Sequence, residues 1–188
     1  PFYNNVSVWN VSCLQHIDNA AKQFTAIAAK YNIPRTIIGE SAEHSTGGQN
    51  GITNVFISSF YYLYELSQTA YFGVSNVYRQ TLMGGYYELI SHFTPQPSPN
   101  CDYWILYLWK RMIGNAVLQS SMAYDINVRA WIFRSATTFN KNYQYVAVII
   151  NFYLWQSVQI DIQVQSQSSY FFDEYHITGK NLTLDYLY

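Results

Sequence analysis

Residues 34–41 read PRTIIGES and predict a short buried strand that carries a carboxylate, Glu40, near its C-terminal end. Ile37 and Ile38 are β-branched and favour a strand, while Pro34 before them disfavours the interior of a helix. The glycine beside the carboxylate allows the backbone or a ligand to come close. Glu40 therefore occupies a defined position and not a random place on the surface.

Two further segments follow this strand. Residues 41–51 form a polar loop that contains two adjacent glycines, and residues 52–66 form a long apolar, aromatic segment. Strand, loop and helix in this order predict one βα unit of a TIM barrel. Active-site residues in such barrels stand at the C-terminal ends of the strands, which is where Glu40 lies.

The composition indicates a globular protein. The chain has 188 residues, of which 49% are hydrophobic and 11% charged, and its formal net charge is -1. This balance gives no electrostatic footprint for nucleic acid. Cys13 and Cys101 are too few for a disulfide scaffold and lack the spacing of a metal site, and we expect no cofactor. No run approaches the ~18 apolar residues of a membrane span.

The N-terminus and three short motifs indicate where in a longer protein the chain lies and whether the protein is secreted. The opening residues, 1–3, lack the pattern of a signal peptide and look like a cut in the middle of a domain. Asn-x-Ser/Thr triplets also arise by chance, but they suit a glycoprotein that is secreted, lysosomal or membrane-associated on the extracellular side. The predicted glycosylation sites are Asn5, Asn10 and Asn181.

The first part of the chain alternates helices and strands. A helix over Gln15–Tyr31 has apolar residues three and four apart and is closed by Asn32. A strand over Ser75–Met83 and a proline-rich loop over His92–Asn100 follow. Asp102 is predicted to cap a last helix, whose bounds are Tyr103–Ile113 and whose stop signal is Gly114.

Beyond this helix the hydrophobic period changes to two. Alternation and β-branched residues predict strands over 128–134, 145–151 and 158–164, with weaker strands over 170–177 and 182–187. Consecutive strands without helices indicate an antiparallel sheet or sandwich. The sequence thus predicts an α/β plus β protein with two domains. Residues 1–115 form the C-terminal part of a (β/α)8 barrel, and residues 116–188 form an incomplete β-sandwich.

Several blocks of sequence carry a resemblance to a known family. In chain order they are IGES at 38–41 with GG at 47–48, SFYYL at 59–63, YRQTLMGGYY at 78–87, DYW at 102–104 and LWKRMIG at 108–114. Together they resemble the heparanase family, glycoside hydrolase family 79, over about residues 35–115. The later strands resemble the family's C-terminal β-sandwich more loosely. The resemblance implies a retaining endo- or exo-glycosidase built from a (β/α)8 barrel with an appended sandwich.

The resemblance also implies roles for individual residues. Glu40 matches the family's nucleophile, and a retaining glycosidase needs such a carboxylate about 5 to 5.5 Å from an acid/base partner. From the residues alone, an exposed loop carboxylate or a strand-end ion pair is an equal alternative. The glycine turns and two tyrosines are expected to bind substrate, with plain turns and packing as alternatives: Gly47, Gly48, Gly84, Gly85, Tyr87 and Tyr3.

The acid/base is expected on an earlier strand of the family, upstream of this chain. Glu43 is close to Glu40 in sequence, but we interpret it as a solvated loop charge. Arg79 is interpreted as the partner of a barrel carboxylate in an ion pair. The chain is therefore expected to need the N-terminal remainder of the barrel as its partner.

The substrate class follows from the charge. A sulfated polymer requires clusters of Lys and Arg, but the only basic pair is Lys110-Arg111 on the last helix. We expect a neutral or lightly charged, glycosaminoglycan-like β-glucuronide chain as substrate. The alternative function is that of a non-catalytic carbohydrate-binding or structural relative with the same fold.

Overall fold

The computed structural model of the protein describes residues 14–93, 95–118, 125–136, 144–153, 156–162 and 172–179. In these ranges the chain is a mixed helix and sheet structure with three helices and seven strands. The elements are α1 Gln15–Lys30, β1 Ile37–Ser41, α2 Ser58–Tyr71, β2 Asn76–Arg79, β3 Ile90–Ser91, β4 Ser98–Pro99, α3 Cys101–Met112, β5 Ile113–Leu118, β6 Val128–Ser135 and β7 Tyr145–Asn151.

The first helix, α1, forms as its periodicity predicts. Ile17, Ala21 and Ala28 are buried on one face, and the helix ends at Lys30. Asn32 has a φ of 53°, a left-handed conformation that asparagine tolerates better than most residues. This conformation turns the chain away from the helix axis and toward β1.

The strand β1 is present, but the prediction that it is buried is wrong. It pairs in parallel with β2, and these two strands make a sheet of their own. Ile37 is 54% exposed, because no other strand of the described ranges covers the second edge of β1. No barrel closes within the residues that the structure describes, so the TIM barrel stays a prediction.

The helix α3 differs from its prediction at both ends. It begins at Cys101, so Asp102 lies inside its first turn and Asn100 occupies the cap position. At the other end Ile113 already has an extended backbone, and the helix continues directly into β5. Gly114 therefore does not stop the helix. A Cβ there would lie 2.7 Å from the carbonyl oxygen of Arg134, so glycine permits the close approach of β5 to β6.

The strands β5, β6 and β7 form an antiparallel sheet in that order. The strands predicted over 128–134 and 145–151 are confirmed. The prediction over 158–164 is wrong for residues 158–162, and the one over 170–177 is wrong for residues 172–177, since neither stretch forms a strand. The remaining residues of these two segments, and all of 182–187, lie outside the described ranges.

A shared core connects the sheet to the helices. The buried members are Leu14, Ile17, Tyr64, Trp131, Phe133 and Ile150. The indole Nε1 of Trp131 also donates a hydrogen bond to Gln68 Oε1 at 2.9 Å. Packing thus crosses residue 115, where the domain boundary is predicted, and that boundary stays a prediction. Within the described ranges, no helix has the length and apolar character that crossing a membrane requires.

Candidate functional site

Glu40 lies in an irregular part of β1. Ile38 pairs with Val77 of β2 and Ser41 pairs with Arg79, so two residues of β1 face one residue of β2. Such a bulge bends a strand and redirects its side chains. Glu40 is exposed at this C-terminal end of β1, as the sequence predicts for the end of the strand.

Ser41 follows Glu40 and has two hydrogen bonds to neighbouring elements. Its carbonyl oxygen accepts a hydrogen bond of 2.9 Å from the backbone N–H of Gln80, just beyond β2. Its hydroxyl donates to the carboxylate of Glu65 on α2. Glu65 is only 3% exposed. The end of β1 is therefore connected to both β2 and α2.

The two glycine turns named from the sequence lie against each other. Tyr86 N–H donates to the carbonyl oxygen of Gly47 at 2.6 Å. Gly85 has a φ of 79°, and a Cβ at this position would lie 2.6 Å from the same carbonyl oxygen. A side chain would disrupt the contact, so glycine is required where the two backbones meet.

Gly48 and Thr53 complete this contact. A Cβ on Gly48 would lie 2.5 Å from Thr53 Oγ1 and 3.0 Å from the backbone nitrogen of Tyr87. The Thr53 hydroxyl donates to the carbonyl oxygen of Tyr86 at 2.9 Å. Tyr87 itself is 4% exposed. The described structure thus brings together Gly47, Gly48, Gly84, Gly85 and Tyr87. Tyr3 and the three predicted glycosylation sites lie outside the described residues.

Glu88 is a buried carboxylate that the sequence interpretation missed. It accepts hydrogen bonds from the backbone N–H groups of Gly84, at 2.5 Å, and His92, at 2.8 Å, and contacts His92 Nδ1. Burial opposes its ionisation, but these hydrogen bonds prevail and lower the pKa of Glu88. The ionised carboxylate therefore stabilises the Gly84–Gly85 turn. A lone acidic residue within the apolar run 86–90 was the available signal.

Arg79, the last residue of β2, is the centre of a second cluster. Its Nη1 is 2.5 Å from Glu43 Oε2, and its Nη2 is 3.1 Å from Glu43 Oε1 and 2.5 Å from Asp102 Oδ2. The side chains are 2% exposed for Arg79 and 4% for each partner. The predicted ion pair of Arg79 is confirmed. The interpretation of Glu43 as a solvated loop charge is wrong, because a residue 36 positions later neutralises it.

Two serines of α2 also hydrogen-bond to these carboxylates. Ser58 Oγ lies within hydrogen-bond distance of Glu43 and, at 3.1 Å, of Asp102 Oδ2, and its single proton can be donated to either carboxylate. Ser59 Oγ donates to Asp102 Oδ1 at 3.1 Å. The Arg79 guanidinium also lies over the ring of Tyr62, 4.8 Å from its centroid. The cluster therefore joins the loop after β1, the end of β2 and the first turns of α2 and α3.

The cluster contains more acid than base. Burial raises the pKa of Glu65 to about 7, against the hydrogen bond from Ser41 and the attraction of Arg79. Burial also raises the pKa of Asp102 to about 6, although Arg79 favours its ionised form. Among the described atoms, Glu65 Oε2 and Arg79 Nε have no hydrogen-bond partner. Burial therefore favours the protonated form of both Glu65 and Asp102 relative to an exposed carboxyl.

A cavity of about 410 Å³ lies beside the N-terminal end of β2, lined by Val74, Ser75, Asn76, Trp109 and Phe133 among others. Since β1 and β2 are parallel, this is the end opposite to Glu40. In the described ranges, no group of three or more His, Cys, Asp or Glu side chains could hold a metal ion.

Comparison with known proteins identifies several relatives, although no protein-family model matches the chain. Baicalin-beta-D-glucuronidase of Scutellaria baicalensis is 33% identical over 147 residues, which are 78% of this chain and 27% of the relative. Heparanase of Bos taurus is 37% identical over 87 residues, 45% of this chain and 15% of the relative. Hyaluronoglucuronidase of Hirudo nipponia is 28% identical over 106 residues, 56% and 21% of the two chains. The chain spans about a quarter or less of the length of these relatives.

Proposed function

This chain is a homologue of part of the heparanases and related glucuronidases, and on that premise we propose that it belongs to a glycoside hydrolase. Two of these relatives are glucuronidases, which supports β-linked uronic-acid glycans as the substrate class. The relatives extend well beyond the length of this chain. We therefore propose that an N-terminal part of the barrel contributes the remainder of the active site.

One observation carries the choice of Glu40 as nucleophile. Of the four carboxylates near the end of β1, three are buried and bound to protein groups, namely Glu43, Glu65 and Asp102. Glu40 is exposed at a strand end, beside a bulge. A nucleophile must reach the anomeric carbon of a sugar, so exposure favours Glu40 over its neighbours.

The proposed reaction has two steps. The Glu40 carboxylate attacks the anomeric carbon and forms a covalent glycosyl-enzyme, while an acid from the N-terminal part protonates the departing oxygen. The same group then removes a proton from water, which attacks the anomeric carbon and releases Glu40. Glu43 is not a substitute for this acid, because both of its carboxylate oxygens are bound to Arg79.

The glycine turns are proposed as the substrate-binding floor beside Glu40. Gly47, Gly48, Gly84 and Gly85 have no side chains, so the backbone can come close to a sugar hydroxyl or the uronate carboxylate. The N–H groups of Gly48 and Gly84 already donate to Ser45 and Glu88 and shape the turns, which makes Gly47 and Gly85 the proposed donors to the sugar. Tyr87 is proposed to contribute at the same turn. Glu88 supports this role indirectly, because it fixes the turn through the Gly84 N–H.

Substrate charge is the next part of the proposal. Arg79 is buried and neutralised by two carboxylates, so it is not available for a sulfate group. The basic pair Lys110-Arg111 is exposed on the last turn of α3, remote in sequence from Glu40. A neutral or lightly charged β-glucuronide chain is therefore the substrate class that this part of the protein favours.

Replacement of Glu40 by Gln in the full-length protein tests the proposal. We expect turnover of an aryl β-glucuronide to fall at least ~10³-fold with no change in the melting temperature, because the covalent intermediate can no longer form. Asp161→Asn, which removes an exposed carboxylate after β7, is the matched control and should leave turnover unchanged. Near-normal turnover by Glu40→Gln would end the assignment. Glycan binding by a wild-type protein that shows no turnover would favour the non-catalytic alternative.

Localisation is also a proposal. The triplets at Asn5, Asn10 and Asn181 support an extracellular or lysosomal glycoprotein. The test is the mass of the protein from its native source before and after removal of N-linked glycans. A mass that does not change would exclude glycosylation at all three sites.

A further inference from the structure

The bulge of β1 leaves Glu40 without a regular strand environment. Regular pairing with β2 is present at Ile38 and resumes at Ser41, and Gly39 and Glu40 lie between these two positions. Gly39 contributes no side chain to restrict the backbone, and a Cβ built there has no atom within 4 Å. The direction of the Glu40 side chain therefore depends on how firmly the residue after the bulge is fixed.

Ser41 is that residue, and it is fixed on two sides. Its carbonyl oxygen accepts a hydrogen bond from Gln80 N–H at 2.9 Å, which holds the end of β1 in register with the end of β2. This contact involves only the main chain of Ser41. The hydroxyl of Ser41 contacts Glu65 and adds a second, side-chain attachment from a different element.

Glu65 is suited to anchor this attachment because it is itself immobilised. Its side chain lies in the buried face of α2, with an overall exposure of 3%. The next turn of the helix supports it, since Thr69 Oγ1 donates to the Glu65 carbonyl oxygen at 2.6 Å. Placing a carboxyl group in a buried position costs stability unless it makes a compensating contact. Ser41 is the hydrogen-bond partner that the described structure gives to this carboxyl group.

We propose that Glu65 is a positioning residue, which through its hydrogen bond with Ser41 fixes the bulge of β1 and thereby the direction of the Glu40 carboxylate. Glu65 does not touch the substrate in this proposal. The inference rests on the proposed function, since it assigns a role in orienting the proposed nucleophile. It predicts a loss of turnover, and not of substrate affinity, when the contact is removed.

Two pairs of nearly isosteric variants of the full-length protein isolate the contact. Ser41→Val and Ser41→Thr have the same shape, but only threonine retains the hydroxyl. Glu65→Met and Glu65→Gln have similar lengths, but only glutamine retains an oxygen that accepts from Ser41. Ser67→Ala removes another buried hydroxyl of α2 and is the control, because this hydroxyl has no hydrogen-bond partner among the described residues.

The measurements are kcat and KM on an aryl β-glucuronide, with melting temperature in parallel. Because misplacement of a reacting group by about 1 Å costs up to ~10²-fold in rate, we expect Ser41→Val to lower kcat at least ~10-fold below Ser41→Thr. KM should change less than ~2-fold between them. Glu65→Met should show the same loss relative to Glu65→Gln, and Ser67→Ala should keep wild-type kcat.

The combination Ser41→Val with Glu65→Met provides a second test. If both residues act through one contact, the double variant should be no slower than the slower single variant. Multiplicative losses would overturn the proposal, and so would single variants that lower only the melting temperature. These results are separable from a failure of the proposed function. An inactive Glu40→Gln together with fully active Ser41→Val refutes the positioning role alone, whereas an active Glu40→Gln refutes the nucleophile.

Discussion

Replacing Arg79 by methionine should destabilise the full-length protein by about 3–5 kcal/mol at pH 7, the cost of breaking a buried ion pair by removing one partner. Arg79 donates three hydrogen bonds to Glu43 and Asp102, two of them 2.5 Å long. Both carboxylates are 4% exposed and would remain in the interior without a cation. Methionine fills much of the volume, so the loss reports on charge more than on packing.

The size of this effect should depend on pH. A carboxyl group that loses its cation in the interior escapes the cost of burying a charge by binding a proton. At pH 7 this protonation costs about 4 kcal/mol for an ordinary pKa near 4, and at pH 5 it costs about 1 kcal/mol. Because burial already raises the pKa of Asp102 to about 6 in the wild-type protein, this carboxyl is largely protonated at pH 5 with or without the arginine, and we expect the destabilisation by Arg79→Met to be at least about 1 kcal/mol smaller at pH 5 than at pH 7.

Urea unfolding followed by tryptophan fluorescence at the two pH values measures both quantities. Arg111→Met is the matched control, because Arg111 is an exposed arginine whose described contact is to the Tyr107 hydroxyl at 2.8 Å. It should change stability by no more than ~0.5 kcal/mol. A loss below ~1 kcal/mol for Arg79→Met at pH 7, or an equal loss at both pH values, would refute the reasoning.

Three further predictions concern the turns, the titration and the substrate. Gly85→Ala should cost more than ~2 kcal/mol, because its Cβ would meet the opposing carbonyl at 2.6 Å. Gly51→Ala, also at positive φ but in open space, should cost only ~1 kcal/mol, and equal thermal shifts would contradict this. Since the pKa of Glu65 is raised from 4.5 to about 7, the folded state retains a proton that the unfolded state releases, and wild-type stability should fall as pH rises between these values. The part of this fall due to Glu65 is at most about 3 kcal/mol and should be lost in Glu65→Gln, which keeps only the part due to the raised pKa of Asp102, so an unchanged pH slope of the urea midpoint would exclude it. Finally, kcat/KM on a glucuronide chain should change little with salt, whereas a steep salt dependence with preference for sulfated chains would show that a basic cleft lies elsewhere in the protein.

Local periodicity predicted those elements whose neighbours are close by. α1 followed from apolar residues three and four apart, and its end followed from Asn32. β6 and β7 followed from alternation, because a hairpin of consecutive strands supplies each with a partner. Residues 158–162 alternate equally well but form no strand. Ile160 and Ile162 are 37% and 58% exposed there, since alternation defines a strand only when another strand pairs with it.

The candidate site also depends on contacts between residues that are far apart in sequence, which local patterns do not predict. The sequence proposes Glu40 by its position after a β-branched pair, and the family resemblance proposes the glycine turns, and both assignments stay predictions. Nothing in the local sequence reveals that Glu43 is buried, because its partner Arg79 is 36 residues away. Glu65 was missed for a related reason. It appears as a polar residue in a helix, and only the packed structure shows that it contacts Ser41.

The hydrogen bond between Trp131 of β6 and Gln68 of α2 has a consequence for biosynthesis. The two residues are 63 positions apart, so α2 leaves the ribosome well before the strand that covers it. Translation adds about 5–20 residues per second, so about 3 to 13 seconds pass between the synthesis of Gln68 and that of Trp131. Tyr64, which is 2% exposed in the folded chain, lacks its contact with the Trp131 ring during that interval. We therefore expect chaperones that bind apolar segments to bind the nascent chain. Slower translation between α3 and β6 would lengthen the time for which the aromatic face of α2 lacks its partner strand.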